Sequence, residues 1–89
     1  MEERISRLGV LILSVLEEEM AHNVYTGLTI KDIKEKLQEG VAEQEITFYK
    51  TIRKLLEEGY IERGIKDGKS HTYYIVNFGQ ELLLKVRKG

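Results

Sequence analysis

The chain has no cysteine, no proline, only two histidines and no long unbroken apolar run. Without cysteine there can be neither a disulfide framework nor a thiolate metal site. His22 and His71 do not stand at ligand spacing, so no metal is expected either. The longest nearly continuous apolar stretch, Leu8 to Leu16, is interrupted by Gly9 and Ser14 and is too short to span a bilayer. Arg4 and Arg7 precede it, as in a signal peptide, but Glu17, Glu18 and Glu19 follow it and no small-residue cleavage site does. The expectation is a cytoplasmic protein without membrane association. No serine, histidine and acid grouping suggests catalysis. Gly68-Lys69-Ser70 lacks the upstream glycines of a phosphate loop. The chain reads as a non-enzyme with no cofactor.

What is present fits one small domain spanning residues 1–89. A composition of 42% hydrophobic and 33% charged residues is that of a globular rather than a disordered chain. The net charge of −1 does not by itself point to nucleic acid. Its distribution is uneven, however. Residues 1–45 carry five basic side chains against ten acids, and residues 46–89 carry nine against five, or −5 against +4. Such an asymmetry is compatible with one acidic and one cationic face.

Ile5, Leu8, Ile12, Val15, Leu16 and Met20 recur at helical spacing and predict a first helix from about Glu3 to Met20. Val10, Leu11 and Leu13 lie outside that stripe, so this helix must be covered on more than one side, by the domain or by a second copy. His22 to Gly27 reads as a loop. Thr29 with Asp32 three residues on forms a capping box for a second helix reaching about Glu39, with Ile30, Ile33 and Leu37 inward. Gly40-Val41-Ala42 is a connection tight enough for a helix-turn-helix. The third helix is expected over Glu43 to Glu58, with Phe48, Ile52 and Leu55 on its buried face and Gly59 as its stop. Tyr60 to Ile65 and Ser70 to Val76 read as strands around a hairpin turn at Asp67-Gly68, with Ile61 and Ile65 on one face of the first. A short third strand is possible near Leu28. Asn77 can cap a short last helix through Leu82, Leu83, Leu84 and Val86, although Gly79 near its start disfavours it. The fold class expected is therefore mainly α with a small β-hairpin, arranged as a winged helix-turn-helix.

Thr47-Phe48-Tyr49-Lys50-Thr51-Ile52-Arg53-Lys54-Leu55, then Leu56-Glu57-Glu58-Gly59-Tyr60-Ile61-Glu62, resembles the third helix and the helix-to-strand signature of the PadR-like transcription regulators. Gly68-Lys69, Tyr73-Tyr74-Ile75 and Gly79 are similar to that family's wing and strand-to-helix exit. The Leu-Glu-Glu-Gly-Tyr-Ile part is shared with MarR-like and ArsR-like winged helices. The chain departs from the PadR-like pattern at Val76, where the family has Thr, and at Gly27-Leu28-Thr29-Ile30. The resemblance implies a dimeric DNA-binding repressor.

A helix lying in the major groove reads bases with its exposed, N-terminal portion. Opposite Phe48, Ile52 and Leu55 stand Gln44, Thr47, Lys50, Thr51 and Lys54. Gln44 suits adenine, the threonines a thymine methyl or a phosphate, and the lysines guanine or phosphate. Tyr49 and Arg53 flank that face toward the DNA backbone. Lys66 and Lys69 on either side of the wing turn, with Arg63 on the strand, suit phosphate or the minor groove. Each has a plainer reading: exposed Lys and Arg are commonly just solvated, and Tyr49 is equally an aromatic at the core edge. Glu43 and Glu45 count against DNA, since they would sit close to phosphates. Three functions compete. One is a homodimeric regulator of duplex DNA joined through helix 1 and the last helix (Leu11, Leu13, Leu83, Val86). The second is a winged-helix protein-interaction module in a replication, phage or plasmid assembly. The third is a small-molecule sensor with no effector specified by the sequence.

Overall fold

A computed structural model of the chain describes residues 5–37 and 45–88. The elements in order are α1 (Arg7–Glu18), β1 (Leu28–Thr29), α2 (Ile30–Lys36), α3 (Glu45–Glu58), β2 (Ile61–Arg63), β3 (Thr72–Ile75) and α4 (Asn77–Lys88). The strands form one antiparallel sheet in the order β1-β3-β2. Leu28 lies opposite Tyr73, and Ile61 opposite Ile75. The short strand expected near Leu28 is thus the third strand of the sheet.

The core is built around α1, which packs on α2, α3, α4 and β3. Leu8, Ile12, Leu13, Val15 and Leu16 are all buried within the one chain, together with Ile33, Phe48, Ile52, Leu55, Ile61, Ile75 and Leu83. The domain itself therefore wraps the helix that is apolar on several sides. This corrects the expected dimer contact at two positions. Leu13 and Leu83 are used up inside the protomer, at 0% and 2% exposure. Of the four residues expected to join two copies, Leu11 remains half-buried and Val86 exposed; Leu84 of α4 is exposed as well.

α1 begins later than its apolar spacing suggests. Ser6 caps it, its Oγ accepting from the Gly9 N–H at 3.0 Å, which satisfies one of the donors left open in a first turn. Its other end is a Schellman motif. The Met20 N–H donates to the Glu17 carbonyl at 3.1 Å, and the Ala21 N–H to the Leu16 carbonyl at 2.9 Å. Met20 is the left-handed residue, at φ 58°. α3 ends in the same way, with Gly59 at φ 86° and the Tyr60 N–H reaching the Leu55 carbonyl at 3.0 Å.

The capping box on α2 forms as expected, with Thr29 Oγ1 accepting from the Asp32 N–H at 3.1 Å and Asp32 Oδ2 from the Thr29 N–H at 3.3 Å. The helix closes at Leu37. The expected extension to Glu39 and the turn at Gly40-Val41-Ala42 lie outside the described residues.

Three local expectations are corrected. Ile65 does not share the buried face of Ile61 and is 55% exposed. β2 ends at Arg63, and the Ile65 N–H leaves the hairpin to bond the Val24 carbonyl at 2.9 Å. The wing turn is one residue later than expected. Asp67 and Ser70 exchange backbone hydrogen bonds at 2.9 and 3.0 Å, so Gly68 and Lys69 are the central pair. Gly68 at φ 64° in the first central position is what a two-residue hairpin turn of this hand requires. Finally, α4 is as long as α1, at 12 residues. Its first bond runs from the Gln80 N–H to the Val76 carbonyl at 3.0 Å, which places Asn77 inside the helix rather than ahead of it.

Candidate nucleic-acid interface

The amphipathic pattern of α3 fixes which side chains it presents. Phe48, Ile52 and Leu55 are 2–3% exposed and hold the helix to the core. Thr47, Tyr49, Lys50, Arg53 and Lys54 are exposed, and Thr51 is half-exposed. Gln44 and Glu43 lie outside the described residues, as does the side chain of Glu45.

These exposed residues divide between two edges of α3. On one edge, Tyr49 stands over an open groove of about 570 Å³ between α2, α3 and the wing. Lys31 and Lys34 of α2 and Lys69, Ser70 and His71 of the wing line the same groove. The Thr29 capping box sets the start of α2, and Lys31 and Lys34 follow one helical turn apart on its outer surface. The Lys34 ammonium lies 5.4 Å from the centre of the Phe48 ring, a cation–π contact that anchors its stem beside α3. Lys69 arrives through the tight turn at Gly68. Three cations from two separate segments, α2 and the wing, thus surround one concave surface, with Glu35 as the acid among its lining residues. Arg63 is the cross-strand partner of Tyr73, which also lines the groove. Directly opposed residues share a face, so Arg63 extends the same surface.

The other edge turns toward the first turn of α1. Thr47, Lys50, Thr51 and Lys54 line a smaller cavity there with Ile5, Ser6 and Gly9. Thr51 is less available than its position suggests, because its hydroxyl donates to the Thr47 carbonyl at 2.9 Å. Arg53 is solvent-exposed on the helix between these edges, and Lys66 is exposed ahead of the turn without lining the groove.

Sequence reasoning placed Tyr49 and Lys69 on the candidate surface and did not include Lys31 and Lys34. Their meeting with the wing depends on how α2 packs between α1 and the sheet, which residue spacing within one helix does not reveal. On the wing, Tyr74 Oη donates to Glu62 Oε1 at 3.0 Å, and this bond, more than burial, raises the Tyr74 hydroxyl above its ordinary pKa. Glu62 is thereby engaged within the sheet.

The arrangement can be compared with solved structures. The chain superposes on TubR from Bacillus megaterium pBM400 with a TM-score of 0.81 at 23% identity, covering 97% of this chain and 90% of that one. The fold is a winged helix. F-93 of SSV1 is a second match, with a TM-score of 0.68 at 17% identity, covering 99% of this chain and 90% of that one. No protein-family profile matches the sequence, and no curated protein does. In winged-helix terms α2 and α3 are the helix-turn-helix pair and β2–β3 is the wing. Among the described residues, no helix is long and apolar enough to cross a membrane.

Proposed function

We propose that this winged-helix protein is a sequence-specific regulator that binds duplex DNA as a homodimer. α3 enters the major groove, and the wing lies on the phosphate backbone or in the minor groove. The observation that carries this reading is the concave surface on which Lys31, Lys34 and Lys69 converge beside Tyr49. Cations from separate elements around one groove are suited to phosphates, and they coexist with an overall charge of −1 because Glu35 is the acid in the groove's lining while others, notably Glu17 to Glu19, lie at the far end of α1. The winged-helix fold shared with TubR and F-93 supplies the recognition helix and wing that this reading needs. The PadR-like motifs in α3 and the wing point the same way and suggest repression.

On this reading Lys50, Arg53 and Thr47 face base edges or flanking phosphates, Lys54 stands further along the helix, and Lys69, Arg63 and the lysines of α2 hold the backbone. The two copies meet through apolar side chains that the protomer leaves uncovered, Leu84 and Val86 of α4 with Leu11 of α1. A twofold dimer then reads half-sites about one helical turn apart. The test is duplex binding as a function of salt. Affinity should fall steeply with ionic strength and drop for Lys50→Glu and for Lys69→Glu. No binding to any duplex at low salt would sink the proposal, and a stoichiometric protein partner protecting α3 would replace it with an interaction module.

A further inference from the structure

The cavity between the first turn of α1 and the outer edge of α3 has a composition unlike that of the lysine-lined groove. It encloses about 220 Å³. One wall is apolar, made by Ile5, Gly9, Leu55 and Tyr60, of which Leu55 and Tyr60 are each only 3% exposed. Gly9 keeps this wall open. A Cβ there would come within 2.9 Å of Ile5 Cγ1 and displace that side chain. The opposite rim carries Lys50 and Lys54, one helical turn apart, and among the described residues neither is in an ion pair. Glu58 follows Lys54 by a further turn at the same rim.

An apolar recess beneath two cations that pair with no acid among the described residues matches a ligand with an apolar body and an anionic head. The single acid at one end of the rim disfavours a second negative charge. The volume lies below the roughly 300–1,000 Å³ of drug-sized sites, which restricts the ligand to one short chain or ring. We propose that this cavity binds a small amphiphilic monocarboxylate whose head sits between Lys50 and Lys54. Because those lysines belong to the surface assigned to DNA, occupancy competes with the duplex. That second part rests on the DNA-binding reading, whereas the ligand site does not.

The test is a titration of the full chain with octanoate, without DNA, followed by backbone amide shifts in NMR. Saturable shifts are expected at Ile5, Gly9, Leu55 and Tyr60. Octanol, which has the same tail without the charge, should bind about fivefold more weakly, and so should octanoate on Lys54→Gln, as for loss of one exposed ion pair. A thermal melt confirms that this surface variant is folded. Absence of saturable shifts up to millimolar octanoate, shifts centred on other residues, or equal binding of octanol would each overturn the site. Where duplex binding is measured, saturating octanoate should weaken it. An unchanged duplex affinity overturns the competition. If no duplex binds at all, the DNA reading falls while the amide shifts still decide the ligand site.

Discussion

Glu17 Oε1 accepts a hydrogen bond from Gln80 Nε2 at 2.9 Å, joining the last turn of α1 to α4. His22 Nε2 lies 3.1 Å from the same oxygen. The Gln80 bond is the largest cause holding the Glu17 carboxyl below its ordinary pKa of 4.5; burial opposes it, and His22 and Arg87 assist. A carboxylate with a depressed folded pKa stabilises the fold above its unfolded value and loses that contribution as pH falls through the folded value. Replacing Gln80 by Ala should therefore destabilise the protein at pH 7. The charge-dependent part of the difference should shrink once pH drops below 4.5 and Glu17 protonates in both proteins. Urea midpoints of the two proteins across pH 3–7 check this. A gap that does not narrow toward acid would show that Gln80 contributes packing alone.

Met20 occupies the left-handed position that ends α1, at φ 58° and 69% exposed. A side chain there is strained, by roughly 1–2 kcal/mol, and glycine relieves the strain at some expense in unfolded-chain entropy. Met20→Gly should stabilise the protein by about 0.5–1 kcal/mol, read from the denaturant midpoint. Gly59→Ala, at the equivalent position of α3, should destabilise it by a comparable amount.

Gly79 stands where the chain passes closest to itself. A Cβ at this position would run into the Tyr60 carbonyl oxygen and reach 2.9 Å from Ile75 Cγ1. That carbonyl cannot move freely, since it accepts from the Val76 N–H at 3.2 Å. Nor can the Tyr60 ring, which stacks on Phe78 with centroids 4.9 Å apart. Gly79→Ala should destabilise by about 1–3 kcal/mol despite the better helix propensity of alanine. The Tm of the variant measures it, and a neutral or raised Tm would show that β3 and α4 shift apart without strain.

The parts of the fold legible in the sequence are those set by local chemistry. The Thr29–Asp32 box, the apolar spacing of Phe48, Ile52 and Leu55, and the stop at Gly59 each depend on residues within one turn of one another. Ile65, the left-handed cap at Met20 and the placing of α2 were not legible for a different reason. Ile65 leaves the sheet because Val24, far away in sequence, offers its backbone a partner. Met20 ends a helix although it carries none of the usual signals for a left-handed cap. Gly79 looks like a helix breaker until the Tyr60 carbonyl above it is seen. The same division holds at the candidate interface. The exposed face of α3 follows from its period, whereas the convergence of Lys31 and Lys34 with Lys69 is a product of tertiary packing.

That convergence separates residues that charge alone cannot. Lys34 and Lys69 line the groove, and Lys66 does not, although it stands just ahead of the turn that carries Lys69. Each phosphate contact contributes to the salt dependence of duplex binding, with a loss of roughly one unit of slope per contact removed. Lys34→Gln and Lys69→Gln should each weaken duplex binding and lower the slope of log K against log salt by about one. Lys66→Gln should change both less. Because the Lys34 stem also rests near Phe48, its variant needs a thermal melt alongside, so that lost stability is not read as a lost contact. Binding isotherms at several salt concentrations decide the matter. Equal effects from all three lysines would mean that only diffuse positive charge is felt, and that the groove between α2, α3 and the wing is not where phosphate sits.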